Sequence, residues 1–252
     1  MQALDQDFPP EGSEDYTLDP FFHGKLMVKQ YRTGYRFSID SVLLAGFIEP
    51  NGGLRAADLG AGCGIISLLL AHTHPDMKIY AVEIQKELVG IAVGNVQKNN
   101  MELRIEMVQE DIKTLNLKKL GGPVDLVVCN PPYRKVESGK INHNHQKAAA
   151  RHEIHATLAD FIKASRRVLK VSGRLFMIYP AERSVDLICG MRESGLEPKR
   201  IQWVHSRLNS PAKLIMVEAI KGGGPEVRVQ KPLAIYGEDG SYTPELQKMM
   251  NG

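Results

Sequence analysis

The sequence contains few cysteines and no long apolar segment. Its three cysteines, Cys63, Cys129 and Cys189, form no Cys-x-x-Cys pair, which is typical of buried thiols in a reducing compartment. No apolar stretch is long enough to cross a membrane, and residues 1–19 lack the basic start and apolar core of a secretory signal. These absences predict a cytoplasmic protein without a membrane span.

Metal-binding patterns are also missing. The eight histidines include His143-x-His145 and His152-x-x-His155, but no cysteine or carboxylate pattern accompanies them. We therefore interpret these histidines as loop and helix residues and expect no metal.

Basic residues are absent from the first twenty positions, which makes the charge uneven. The whole chain carries 32 Lys and Arg against 29 Asp and Glu, a net charge of +3. Six of the acids lie in residues 1–20, leaving 23 acids against the 32 basic residues in the rest of the chain. We predict a disordered acidic tail over residues 1–20 and a body that favours an anionic partner, although excess Lys and Arg also serve solubility alone.

The tetrapeptide Asn130-Pro131-Pro132-Tyr133 follows the apolar run of residues 124–129. The Asn side chain presents an acceptor and a donor on one amide, and the two prolines remove N–H donors beside the backbone carbonyls. Tyr133 adds a flat face on which a base can stack. Such a group can hold a planar –NH2 by its hydrogens and leave the nitrogen lone pair free to attack. Taken alone, the motif is equally compatible with a turn that ends a strand.

A glycine-rich segment, Asp-Leu-Gly-Ala-Gly-Cys-Gly at residues 58–64, joins an apolar run to a helical pattern. Alternate glycines allow a tight turn and close approach to a ligand, and the helix start adds free N–H groups. The dinucleotide fingerprint fails because Ile65 stands at its last glycine, and no Gly-Lys-Ser/Thr of a phosphate loop follows. The acid before the glycines, Asp58, suits a ligand with an ammonium group and a sulfonium rather than a pyrophosphate.

Two further acids follow predicted strands. Glu83 ends the strand predicted over residues 78–83, where a carboxylate can accept both hydroxyls of a ribose. Asp111 follows the strand predicted over residues 104–109 and can accept from an adenine amino group. Each is more often a solvated surface acid, but their register with the glycine loop and Asn130 favours a ligand site.

Strands and helices alternate along the chain. We predict strands at residues 54–59, 78–83, 104–109, 124–129, 174–179, 198–205 and 214–219, and helices at 65–72, 86–99, 153–169 and 181–194. The alternation predicts an α/β fold, a doubly wound, mostly parallel seven-stranded sheet with a terminal antiparallel strand. Ligands bind such sheets at the carboxyl ends of the strands, where Asp58, Glu83, Asp111 and Asn130 all lie.

We predict one folding domain over residues 21–252. Its N-terminal extension, residues 21–50, holds an early strand or hairpin arm at 25–31 and a short helix at 40–48 that is capped by Ser38 or Asp40. Its C-terminal extension, residues 225–242, holds a strand-like piece at 227–236.

The chain resembles the S-adenosylmethionine-dependent amino-methyltransferases in the order of glycine loop, ribose acid, third-strand Asp and Asn-Pro-Pro-Tyr. More narrowly, it resembles the bacterial tRNA1(Val) adenine-N6 methyltransferases, which modify the adenosine 3′ of the anticodon (position 37). This second resemblance runs from about residue 22 to 242 and also rests on residues 35–44, 150–153, 198–200 and 211–213. One departure is Arg134, which stands where an aromatic residue is expected and puts a second stacking contact in doubt.

The resemblance implies the class I methyltransferase fold, S-adenosyl-L-methionine as cofactor and the anticodon loop of a tRNA as partner. It implies that the catalytic residues are Asn130, Pro131, Pro132 and Tyr133. It implies that the cofactor is bound by Asp58, Gly60, Ala61, Gly62, Gly64, Glu83, Ile84, Asp111 and Ile112, with Asp40 near its amino-acid end.

Basic residues crowd the loop after the Asn-Pro-Pro-Tyr motif. We interpret this loop as a phosphate clamp that orders on RNA, with an ordinary flexible loop as the alternative. Its basic residues are Arg134, Lys135, Lys140, Lys147 and Arg151.

Two other functions remain open. A protein-glutamine methyltransferase of release factors would use the same motif, because a glutamine amide is also a delocalised –NH2. Those relatives usually carry a helical N-terminal domain, and only about fifty residues precede the glycine loop here. A non-catalytic RNA-binding protein would lack catalytic residues, and none is missing. Site-specific DNA methylation is unlikely, because we find no segment large enough for target recognition; the oligomeric state is not predicted.

Overall fold

The protein is described by a computed structural model, which covers residues 16–32, 38–49, 54–133 and 156–251. These residues form eleven strands and six α-helices. The elements, in chain order, are β1 Tyr16–Phe21, β2 Leu26–Tyr31, α1 Ile39–Phe47, β3 Arg55–Leu59, α2 Ile65–Thr73, β4 Lys78–Glu83, α3 Lys86–Lys98, β5 Ile105–Gln109, β6 Val124–Cys129, α4 Leu158–Val168, β7 Leu169–Pro180, α5 Ser184–Glu193, β8 Leu196–His205, β9 Ala212–Lys221, β10 Arg228–Val229, β11 Leu233–Ala234 and α6 Pro244–Asn251.

The central sheet is mostly parallel, as predicted. In the described residues it has nine strands in the order β10-β8-β9-β7-β6-β3-β4-β5, and β11 pairs with β8 beside β10. The seven predicted strands are its seven long strands, β3 to β9, and the α/β fold is confirmed. The antiparallel strand is β9, the last long strand in sequence, which lies between β7 and β8.

Helices cover both faces of this sheet, so its strands are apolar on both sides. Along β6, Leu126 and Val128 pack into the core beneath α1 and α2, whereas Val127 and Cys129 pack into the core beneath α4 and α5. None of the helices in the described ranges has the length and apolar character that a membrane span requires.

Several predictions at the two ends of the chain are wrong in part. Residues 16–20 belong to β1, and the predicted disorder is wrong for them, because Tyr16 stacks on Tyr31 of β2 with ring centroids 5.0 Å apart and the two strands pair along their length. The remainder of the predicted tail lies outside the described residues.

The predicted strand at 227–236 is two short strands, β10 and β11. Pro232 separates them, because proline cannot donate a ladder hydrogen bond. Helix α6 follows and was not predicted, although its Leu246 is fully buried. Helix α1 begins at Ile39, and neither side chain proposed as its cap makes a capping bond, since Ser38 occupies the N-cap position without one.

The β1–β2 hairpin is held to the domain by two asparagines of α3. The Asn95 amide accepts from Lys29 N–H (2.7 Å) and donates to Lys29 O (2.8 Å), and it also donates to Cys63 O (2.9 Å) in the glycine loop. One turn later, Asn99 pairs in the same way with both backbone groups of Met27. The two side chains therefore continue the hydrogen-bond ladder along the second edge of β2.

We expect Asn95→Ala to lower the free energy of unfolding by about 2–4 kcal/mol, because it leaves one buried and two partly buried backbone groups without their partner. Gln97→Ala is the matched control, since it removes an exposed amide from the same helix and should change stability by less than about 0.5 kcal/mol. Urea unfolding of the two variants measures the difference. Equal effects would mean that Asn95 does not hold the hairpin.

Candidate active site

The sequence motifs meet at one edge of the sheet because three parallel strands end in register. Leu59 at the end of β3 pairs with Val82 of β4 and with Cys129 of β6. The chain therefore leaves β3 at Gly60 and β6 at Asn130 on the same level, next to Glu83 at the end of β4. This edge is the one at which ligands bind in open α/β sheets.

The glycine loop needs glycine for its backbone. Gly60, Gly62 and Gly64 have φ angles of 76°, 57° and 84°, a left-handed region that other residues rarely adopt. The N–H groups of Gly60 and Ala61 both donate to Val82 O, at 2.9 and 3.0 Å. The turn is thereby fastened to β4 before α2 begins.

Asp58 lies inside β3 beneath this loop and is 1% exposed. Its Oδ2 accepts from the Ser67 hydroxyl at 2.7 Å, whereas Oδ1 has no hydrogen-bond partner among the described residues. Burial raises the pKa of Asp58 from 3.8 to about 7, and the nearby charge of Glu83 adds to the increase. A buried carboxylate oxygen without a donor is suited to a cation or an N–H group of a ligand.

Glu83 connects the glycine loop to the start of α3. It is 5% exposed, and its two oxygens accept from Gly62 N–H (3.0 Å) and Gln85 N–H (2.9 Å). Burial raises the pKa of Glu83, and these backbone N–H groups act against the increase. The Ile84 N–H and the Gln85 side chain also hydrogen-bond to this carboxylate.

The remaining residues predicted to bind a cofactor lie beside this group. Glu110 N–H donates to Glu83 O at 3.1 Å, which brings Asp111 to the same edge. Asp111 Oδ1 accepts from Lys113 N–H at 2.8 Å. Ile84 is partly exposed, and Ile112 is buried in the core beneath α4.

A second group of side chains forms around the Asn-Pro-Pro-Tyr segment. The Tyr133 hydroxyl oxygen lies 2.7 Å from Asn130 Oδ1 and 2.8 Å from Asp40 Oδ2. Asp40 is in the first turn of α1, so this helix reaches the segment from a distant part of the chain. Pro131 is buried and Pro132 is exposed.

Two neighbours of Tyr133 were not predicted. Its ring packs edge-on against the buried Tyr179 at 5.6 Å. Arg183, at the end of the short 3-10 helix that follows β7, donates to the Tyr179 hydroxyl at 2.7 Å and lies over the Tyr179 ring at 5.2 Å. The sequence carried one signal for Arg183. It follows the strand predicted over residues 174–179, which ends at the same sheet edge as the strand before Asn130.

The five basic residues predicted to bind RNA, Arg134, Lys135, Lys140, Lys147 and Arg151, lie outside the described residues, as do the four histidines His143, His145, His152 and His155. Within residues 16–32, 38–49, 54–133 and 156–251, no group of three or more His, Cys, Asp or Glu side chains could hold a metal ion.

This strand order, with an antiparallel β9 and a glycine loop after β3, is that of the class I methyltransferases. A protein from Agrobacterium tumefaciens described as a predicted O-methyltransferase superposes with a TM-score of 0.68, covering 84% of this chain and 95% of its own at 22% identity. At this identity the similarity establishes the fold alone.

Residues 35–188 match the family model described as the Methyltransferase small domain. The match spans more than half of the chain, so the chain belongs to this family and is a methyltransferase.

Curated relatives extend this similarity over nearly the whole chain. The tRNA1(Val) (adenine(37)-N6)-methyltransferase of Tolumonas auensis is 25% identical over 236 residues, 93% of this chain and 94% of its own. The protein of the same name from Glaesserella parasuis is 30% identical over 212 residues, 84% of this chain and 86% of its own.

The buried Asp58 makes the stability of the ligand-free protein depend on pH. Between the ordinary pKa of 3.8 and the folded value of about 7, the folded chain keeps a proton that the unfolded chain has lost. The contribution of Asp58 to stability therefore falls as pH rises through this window and is constant above it. Asn at this position stays neutral at every pH.

We expect the melting temperature of Asp58→Asn, relative to the wild type, to increase from pH 4 to pH 7 and to level off at higher pH. Thermal unfolding of ligand-free protein at several pH values measures it. Asp76→Asn, an exposed acid in the turn before β4, is the control and should follow the wild type. If the difference in melting temperature between Asp58→Asn and the wild type does not change with pH, Asp58 is not a buried carboxyl that titrates in this range.

Proposed function

We propose that the protein transfers a methyl group from S-adenosyl-L-methionine to the exocyclic N6 of an adenine in tRNA. The observation that carries this proposal is the Asn130 amide oxygen held beside Tyr133 at the sheet edge that also holds the glycine loop. The names of the curated relatives support adenine 37 of tRNA1(Val) as the target. Such a substrate agrees with a cytoplasmic enzyme.

The residues around the glycine loop fit S-adenosylmethionine. Asp58 Oδ1, a buried acceptor without a partner in the described residues, suits the ammonium of the amino-acid end. The Glu83 carboxylate at the end of β4 suits the ribose hydroxyls, and Asp111 suits the adenine amino group. The loop residues Gly60, Ala61, Gly62 and Gly64, together with Ile84 and Ile112, would line the rest. When bound, the cofactor supplies an electrophilic methyl group on a sulfonium.

The Asn-Pro-Pro-Tyr segment would prepare the nucleophile. An adenine amino group is a poor nucleophile because its lone pair is delocalised into the ring. Asn130 Oδ1 and the Pro131 carbonyl would accept its two N–H bonds and favour a pyramidal nitrogen. Tyr133 would stack on the base. A base in the anticodon loop is already unpaired, so its extrusion costs little, and positioning supplies much of the rate.

Contacts to the RNA backbone would come from basic residues beside this pocket. The basic loop residues Arg134, Lys135, Lys140, Lys147 and Arg151 remain part of the proposal. Among the described residues we add Arg183. Its guanidinium lies over the Tyr179 ring, and the Tyr179 ring packs against Tyr133. The Arg183 guanidinium would contact a phosphate next to the target nucleotide.

The proposed function is tested by methyl transfer from labelled S-adenosylmethionine to total tRNA from a strain that lacks this gene, followed by nucleoside analysis. We expect N6-methyladenosine in one tRNA. Asn130→Ala should lower kcat by about 10²–10³-fold or more and leave the dissociation constant for the cofactor within about twofold. Asn116→Ala, which removes an exposed amide from a surface turn, is the matched control.

Two results would contradict the proposal. Label in a release-factor protein and none in tRNA would identify a glutamine methyltransferase. Full activity of Asn130→Ala would exclude the mechanism whichever substrate is modified.

Arg183→Gln should raise the dissociation constant for tRNA several-fold and lower the slope of log affinity against log salt by about one unit, because one phosphate contact is lost. Arg192→Gln is the control, because both arginines pair with a carboxylate through Nε, Arg183 with Asp186 at 3.0 Å and Arg192 with Glu197 at 3.1 Å. Arg192, however, lies at the opposite edge of the sheet. Binding isotherms at several salt concentrations measure both slopes. An unchanged slope for Arg183→Gln would exclude a phosphate contact.

A further inference from the structure

The Tyr133 hydroxyl has one proton, and two acceptors among the described residues lie within its reach. Asn130 Oδ1 lies at 2.7 Å and Asp40 Oδ2 at 2.8 Å. A phenol donates one hydrogen bond, so at any moment it can satisfy only one of these two oxygens. The other oxygen then faces the phenol oxygen without a proton between them.

The choice between these acceptors matters for the proposed reaction. If Tyr133 donates to Asn130, it occupies the oxygen that the target amine needs. If it donates to Asp40, the Asn130 amide can turn so that Nδ2 faces the phenol oxygen, which releases Oδ1 from Tyr133. A carboxylate is the stronger acceptor, because hydrogen bonds to ionised groups are shorter and about twice as strong as neutral ones.

Asp40 is held in place from the other end of its helix. Arg200 donates to Phe47 O at 2.7 Å and lies 4.0 Å from the Phe47 ring centroid, while Arg174 donates to Glu49 O at 3.0 Å. Both arginines also contact Glu218 of β9. Helix α1 is thus fastened to the sheet at its C-terminal end and presents Asp40 to Tyr133 from its first turn.

We propose that Asp40 is a positioning residue, which accepts the single hydrogen bond of the Tyr133 hydroxyl so that Asn130 Oδ1 can accept a hydrogen bond from the target amine. This assignment differs from the place near the cofactor that the family resemblance implies for Asp40. It rests on the proposed function, because it assumes that Asn130 accepts from the amine.

The test is a cycle of three variants, Asp40→Ala, Tyr133→Phe and the double variant. In Asp40→Ala the Tyr133 hydroxyl loses its carboxylate acceptor and can donate to Asn130 instead, so kcat should fall on the order of tenfold to a hundredfold. Tyr133→Phe keeps the stacking ring and removes the competing proton, so it should lose less of its kcat than Asp40→Ala does. The double variant should match Tyr133→Phe, which means that the second substitution rescues the first.

Asp76→Ala, in an exposed turn away from the site, is the matched control and should leave kcat unchanged. Cofactor affinity separates the two roles of Asp40. We expect the dissociation constant for the cofactor to stay within about twofold of the wild-type value in all variants. A double variant as slow as Asp40→Ala, or a cofactor affinity that Asp40→Ala weakens in both backgrounds, would overturn the inference.

Failure of the proposed function gives a different result. If the wild type methylates a glutamine amide instead of adenine, the same cycle is run on that amide. If it methylates neither, the hydroxyl is followed in ligand-free protein by NMR of ζ-13C-labelled tyrosine. We expect the Tyr133 signal to move more in Asp40→Ala than in Asn130→Ala, and the reverse order would overturn the inference.

Discussion

The parallel register of β3, β4 and β6 is the constraint on which the site depends. Leu59 pairs with Val82 on one side and with Cys129 on the other, so two segments far apart in sequence leave the sheet on the same level. A slip of one residue would turn each side chain to the opposite face of the sheet. Both faces are buried, which makes the register costly to change and keeps Gly60 and Asn130 together.

Electrostatics link the glycine loop to this register. Asp58 and Glu83 are both buried, and the pKa of each is raised, so their charges oppose folding. Glu83 is compensated by the N–H groups of Gly62 and Gln85, whereas Asp58 has only Ser67 as a donor in the described residues. Glu83 therefore holds the loop in its conformation, whereas Asp58 keeps an oxygen to which a ligand can donate.

Local patterns were sufficient to predict the sheet edge. The strands Lys78–Glu83 and Val124–Cys129 have the predicted bounds, because their apolar runs end at motifs with few alternative conformations. The contact of Asp40 with Tyr133 joins residues 93 apart, and neither residue carries a local signal for it. The same holds for α6, whose short amphipathic pattern has meaning only once α1 lies beneath it. At β1, pairing with β2 outweighed the acidic composition from which disorder was predicted.

The asparagines of α3 have a consequence for how the protein can change during evolution. On the hairpin, Asn95 and Asn99 hydrogen-bond to backbone groups of Lys29 and Met27, and every non-proline residue offers the same N–H and C=O. The outward side chains of the hairpin can therefore drift without loss of docking. The two asparagines cannot, because no shorter or longer side chain spans the same pair of groups. Family members could thus acquire new surface chemistry on the hairpin while its attachment to the methyltransferase core is kept.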